Sequence, residues 1–255
     1  MTVTTHVFNT MGTTASLRFA GPVPSDEVLL QVENAFAEFD RRFSLYRADS
    51  ELSRIATGEL TLAHSSDAVR DCYREAMMWS HRTAGVFTSH RPDGVLDLSG
   101  IVKAAAIAAA GTILDTFGMP SWVLNVGGDI LTRGSINGSA WRIGITDPDA
   151  RTSLLCALEV QNPRQAVATS GTAERGEHIW RAPATSDTLV RYRQVTVVAD
   201  DIVTADVLAT AILAGGPQWC DDILDRFDVD ALTVDDHGGI TASPGLREAA
   251  SLILG

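Results

Sequence analysis

Apolar and polar residues alternate at the start of the chain. "HVFNTMGTTASLRFAG" carries this pattern on both sides of a Met-Gly-Thr-Thr corner, which predicts two strands or one bent strand. The period then lengthens. Val28, Val32, Phe36, Phe39 and Phe43 recur at helical spacing and predict a helix from Ser25 to Phe43. Val69, Tyr73, Ala76 and Met77 share one face of a second helix, Ser66 to Arg82, and a third runs from about Ser99 to Phe117, stopping at Gly118. Short β-rich runs follow: "SWVLNV", "AWRIGITD", "LLCALEV", "QAVATSG" and "QVTVVA". "TADVLATAILAGG" reads as a fourth helix ending on a glycine pair, and "PQWCDDILDRF" as a fifth. "DALTV" and "GGITAS" flank an Asp-Asp-His-Gly-Gly turn that suits a hairpin. Helices and strands alternate without a regular strand-helix beat, and no repeat, low-complexity tract or linker divides the chain. The pattern predicts one α+β domain over residues 1–255, with a mixed or antiparallel sheet and flanking helices, rather than a doubly wound parallel fold.

Composition narrows the function. Of 255 residues, 45% are hydrophobic and 20% charged, which is ordinary for a folded chain. A net charge of −12 argues against nucleic acid and anionic membranes as partners. A phosphorylated ligand would then need a metal or a few local donors to supply positive charge. Cys72, Cys156 and Cys220 are odd in number and lack metal-site spacing, so neither a disulfide framework nor a cysteine metal site is expected. The start lacks the basic and apolar segments of a signal peptide, and no apolar stretch approaches the roughly 20 residues that span a bilayer. The expectation is a cytoplasmic protein without membrane insertion.

Lys103 is the single lysine among 20 basic residues. It lies in "DLSGIVKAAAIAAA", where Ser99 as N-cap would leave the N–H groups of Gly100, Ile101 and Val102 free for an anion. The same residues also suit an Ala-rich core helix with one solvated lysine. Asp97 is a loop residue or a ligand acceptor. "NVGGDI" matches neither a dinucleotide fingerprint nor a P-loop, so Gly127 and Gly128 form a turn or let backbone touch a ligand. Asp206 and Thr210, at i and i+4, could hold Mg²⁺ through oxygen donors. Alternatively Asp206 only favours the helix dipole in a first turn capped by Thr204. Ser170, Gly171, Arg175 and His178 read as an active-site loop with His178 as general base, or as a solvated loop.

Taken in order, "MGTTASL", "FDRRFSLYRADSELSRI", "GVFTSHRPDGVLDLSGIVKAA", "WVLNVGGDI", "WRIGITDP", "VATSGTAERGEHI" and "VTVVADDIVTADVLATAIL" resemble the ApbE family of FAD:protein FMN transferases, over roughly residues 8 to 215. The resemblance implies Mg²⁺-dependent transfer of FMN from FAD to a Thr or Ser of an acceptor flavoprotein, through a phosphoester, with release of AMP. Some relatives instead hydrolyse FAD to FMN and AMP. Carried over by motif, Met11 and Tyr46 would line the flavin or adenine pocket, and Asp97, Lys103, Gly127, Gly128 and the backbone of Ile179 would contact FAD. The Gly100 carbonyl, Asp206 and Thr210 would surround Mg²⁺. Lys103 would act as an electrostatic clamp and His178 as the base for the incoming hydroxyl. Three features depart from the family's pattern: a shortened "GVFTSHRPDGVLDLSG", Thr88 where an Asp is expected, and Ala104 where a Gly follows the lysine. No lipobox cysteine stands near the start, so export and lipid anchoring are not implied. A flavin-binding protein without catalysis is the third reading.

Overall fold

The computed structural model describes residues 2–150, 152–171 and 190–252. Strands β1 (Val3–Thr10) and β2 (Thr13–Ala20) form the expected hairpin about Met11 and Gly12. Both turn residues have positive φ, 46° and 73°, the twist that a two-residue hairpin needs. Helices α1 (Asp26–Phe43), α2 (Glu51–Ala56), α3 (Asp67–Arg82) and α4 (Ser99–Thr116) follow. Next come strands β3 (Trp122–Val126), β4 (Asp129–Arg133), β5 (Trp141–Thr146), β6 (Leu154–Val160), β7 (Ala166–Gly171) and β8 (Tyr192–Ala199). Helices α5 (Ile202–Gly215) and α6 (Pro217–Arg226) precede β9 (Asp230–Asp235), β10 (Ile240–Ala242), α7 (Pro244–Ala249) and β11 (Ala250–Leu252).

The fold is α+β, as expected, and every described strand pairing is antiparallel. An eight-stranded sheet runs β1-β2-β3-β4-β7-β8-β9-β10, and a smaller sheet runs β11-β6-β5. Three layers result. Alternate strand residues such as Leu124, Leu131, Ala168, Val195 and Val197 meet the helices in one core. Their neighbours Val123, Ile130, Val167 and Val198 meet Trp141, Ile143 and Leu158 of the small sheet in a second. The central strands are therefore covered on both faces. That explains why "QVTVVA" is buried at every position, Gln194 and Thr196 included, although its neighbours are antiparallel.

Helix α4 is long and apolar enough to cross a membrane by length and composition, with mean hydropathy 1.2 over 18 residues. This differs from the expectation, and packing explains it. Eight of its residues are buried, and it packs between α1, α5 and the sheet. Two helix starts also differ. Leu98 is the N-cap of α4, and the Asp97 side chain takes the Ser99 N–H at 2.9 Å, so Ser99 is the first helical residue rather than the cap. Asp201, not Thr204, caps α5, accepting the Thr204 N–H at 2.8 Å.

Candidate active site

Lys103 sits one turn into α4, with Val102 and Ala104 buried on either side and its own side chain 13% exposed. It is not the solvated lysine of an Ala-rich helix. Its Nζ forms an ion pair with Oδ2 of Asp129, whose side chain is 0% exposed. The geometry comes from the Gly-Gly turn. Gly127 and Gly128 have φ of 57° and 94° and link β3 to β4 in a two-residue hairpin, with Val126 opposite Asp129. Asp129 and Leu131 are two residues apart on β4 and share the face toward the helices, which aims the carboxylate at α4.

The turn also touches the first hairpin. A Cβ on Gly127 would stand 2.8 Å from Oγ1 of Thr13, and the Gly127 N–H donates to the Thr14 carbonyl at 3.3 Å. The Met11-Gly12 and Gly127-Gly128 turns therefore lie side by side at one end of the large sheet.

From Asp129 the polar contacts continue into β7. Its Oδ1 accepts the Thr169 N–H at 3.2 Å. The next residue, Ser170, faces the helices and places Oγ 3.1 Å from Oγ1 of Thr210 on α5. One turn earlier on the same face is Asp206, 5% exposed. Because α5 begins at Ile202, Asp206 lies in the second turn. A first-turn role for it on the helix dipole is thereby ruled out. Lys103, Asp129, the Thr169–Ser170 backbone, Thr210 and Asp206 thus form one polar strip between the paired helices α4 and α5 and the sheet.

The ApbE family model matches residues 11–90 and 87–233, well over half of the chain. The chain belongs to the ApbE family. A curated relative from Rhodobacter capsulatus, named FAD:protein FMN transferase, is 30% identical over 68% of this chain. The aligned part is 34% of that relative, so this chain spans about a third of its length. A second of the same name, from Vibrio cholerae serotype O1, is 23% identical over 95% of this chain and 89% of its own. Among solved structures, a point mutant of the flavin transferase ApbE from Vibrio cholerae superposes with TM-score 0.79 at 21% identity, covering 98% of this chain and 100% of that one. The apbe protein of Thermotoga maritima gives 0.78 at 18% identity, covering 97% and 99%. These two likenesses show the fold.

In this ApbE-family chain the remaining candidates fall in different places. Met11 packs on the edge of the helix-side core at its turn. Tyr46 stands 90% exposed between α1 and α2, an aromatic face open to stacking. Asp97 is occupied locally by the Ser99 N–H, while its own N–H donates to the Ser89 carbonyl at 2.8 Å. Gly100 makes room for a protein group: a Cβ there would stand 3.1 Å from Cε2 of buried Phe87. The departure at Thr88 has a local use, since its Oγ1 accepts the His90 N–H at 3.2 Å. Ala104 is fully buried. Arg175, His178 and Ile179 lie outside the described residues.

The donor set fits Mg²⁺. Among the described residues no three His, Cys, Asp or Glu side chains come together as a metal cluster. The buried Asp206 carboxylate and the Thr210 hydroxyl are oxygen donors that suit a hard cation completing its shell with water and phosphate.

Two contributors escape a reading of the residues alone. Asp129 follows two glycines in "NVGGDI" without completing a known motif, and Thr169 contributes only its backbone N–H. The available signal was a sequence-level pairing: a chain with a single lysine, and an acid placed at the start of an apolar strand.

Proposed function

We propose that this chain is an FAD:protein FMN transferase, moving FMN from FAD to a Thr or Ser hydroxyl of an acceptor flavoprotein. The observation that carries the reading is the buried Asp206 carboxylate one helical turn from the Ser170–Thr210 hydroxyl pair, on the strip that begins at Lys103. Family membership and the names of the curated relatives support it.

In the step, the acceptor oxygen bonds to the phosphorus of the FMN half, and the bond from that phosphorus to the oxygen of the AMP half breaks. The hydroxyl proton goes to a base, for which His178 is the candidate, and the electron pair leaves with AMP. Asp206, Thr210 and the Gly100 carbonyl would hold Mg²⁺, which when bound supplies positive charge to the diphosphate. Lys103 contributes a compact cation that is already oriented, so little reorganisation is needed as charge develops. Tyr46 and Met11 offer apolar surface to the flavin or adenine ring. The three cysteines are free and buried, which suits a reducing compartment and a cytoplasmic site of action.

The test is AMP release from FAD and Mg²⁺, with and without an acceptor, in the wild type and Asp206→Ala. Flavin that stays on the acceptor after denaturation, with AMP lost in the variant, is the expected result. AMP formed equally without acceptor makes the chain an FAD pyrophosphatase. Bound FAD with no AMP in either condition overturns the enzyme reading.

A further inference from the structure

A fully buried carboxylate persists only where its charge and lone pairs are matched. The two oxygens of Asp129 meet different groups: Oδ1 takes the Thr169 N–H, and Oδ2 faces the Lys103 ammonium. One rigid side chain thus ties α4 to β4 and β7. A lysine stem has four rotatable carbons and samples many rotamers when nothing holds its head. Here the head is held by a group that cannot itself move, since Asp129 opens β4 directly after the Gly-Gly turn and is enclosed on all sides.

We propose that Asp129 is the positioning residue of the site, orienting Lys103 toward the diphosphate of the substrate and fixing the Thr169–Ser170 backbone beside it. The proposal deepens the transferase reading and rests on it for the identity of the anion. It has an electrostatic consequence. Without substrate the ammonium is already compensated, so an incoming diphosphate must share it with Asp129. Asp129 therefore lowers affinity for the anion and improves the geometry in which Lys103 meets it. That favours turnover over ground-state binding.

Asparagine at position 129 separates the two effects. It keeps the volume and removes the charge, but it has one acceptor oxygen and an amide donor. Facing an N–H and an ammonium, it can satisfy only one of them. Lys103 then keeps its full charge and loses its fixed direction.

Asp129→Asn is expected to lower kcat for AMP release by about 100-fold, the scale of a misplacement of roughly 1 Å. The KM for FAD and the Kd for ADP, measured on the same preparation, should both fall. A merely structural role predicts the opposite pattern, with kcat and affinity lost together alongside Tm, and that result overturns the proposal. So does a kcat equal to wild type. If the wild type itself releases no AMP, the transferase reading fails and ADP binding alone decides. Tighter binding by Asp129→Asn that disappears when Lys103→Met is added supports the positioning role, and unchanged binding overturns it. If Asp129→Asn does not fold, melting of Lys103→Met alone and combined with Asp129→Asn gives the answer. Methionine strands the buried carboxylate and lowers Tm. Removing that charge as well recovers most of the loss if the two residues act as a pair, and no recovery overturns the proposal.

Discussion

Ser170 and Thr210 bring their hydroxyl oxygens to 3.1 Å, joining the end of β7 to the middle of α5. Ser170 is 8% exposed, so its hydroxyl has little access to water. Thr210→Val keeps the volume and deletes the partner, which costs about 1–3 kcal/mol for a buried polar group left unmatched. Thermal melting should show that loss, together with reduced AMP release. Thr210→Ser restores the hydroxyl and should restore both. Wild-type activity in Thr210→Val would remove Thr210 from the site.

Asp206 is expected to couple Mg²⁺ to stability. A ligand that binds only the folded state at 100 times its Kd stabilises by about 2.7 kcal/mol, or roughly 5–10 °C in Tm for a chain of this size. In the presence of ADP, MgCl₂ should raise the Tm of the wild type, and EDTA should reverse the shift. Asp206→Asn should show no Mg²⁺-dependent shift. An equal shift in the variant would place the cation elsewhere.

Gly111 sets the distance between α4 and the sheet. A Cβ there would stand 2.9 Å from Cδ2 of Leu131 and 3.1 Å from Cη2 of the fully buried Trp122. Overpacking costs about 1–3 kcal/mol, and the helix-propensity gain of alanine returns at most about 1 kcal/mol. Gly111→Ala should therefore lower Tm in a denaturation experiment. A higher Tm would mean that the sheet yields at no cost.

Glu75 on α3 has its pKa raised, first by burial and then by the Asp201 carboxylate that caps α5. A folded pKa above the unfolded value of 4.5 means that the protonated form is favoured in the fold. Its stabilising contribution is complete below the unfolded value and is lost as pH rises through the folded value. At neutral pH the ionised Glu75 is thus a burden. Glu75→Gln should raise the urea midpoint at pH 7–8 and leave it unchanged well below the unfolded pKa. A lower midpoint at neutral pH would contradict the assigned environment.

Local periodicity made most elements legible. The hairpin about Met11 and Gly12, the helical spacing from Val28 to Phe43 and the glycine stop after α4 all depend on neighbours within a few residues. Elements without a local signature were missed. Strand β4 follows a two-residue turn in "NVGGDI" and is too short to show alternation, and α2 and α7 have six residues each. The start of α5 moved because Asp201, a residue outside the apolar run, provides the cap.

The sequence by itself determined the α+β class, the helix and strand periods, the family resemblance and the candidates Lys103, Asp206 and Thr210. Those rest on spacing along one chain, which the covalent backbone transmits directly. Only the tertiary structure decided that Lys103 pairs with Asp129, that Asp206 is enclosed and that Ser170 meets Thr210. Partners 26 and 40 residues apart are brought together by strand register and by α4 and α5 packing on one sheet face. Burial then gives those contacts their weight, because a charge or hydroxyl removed from water must find its match within the fold.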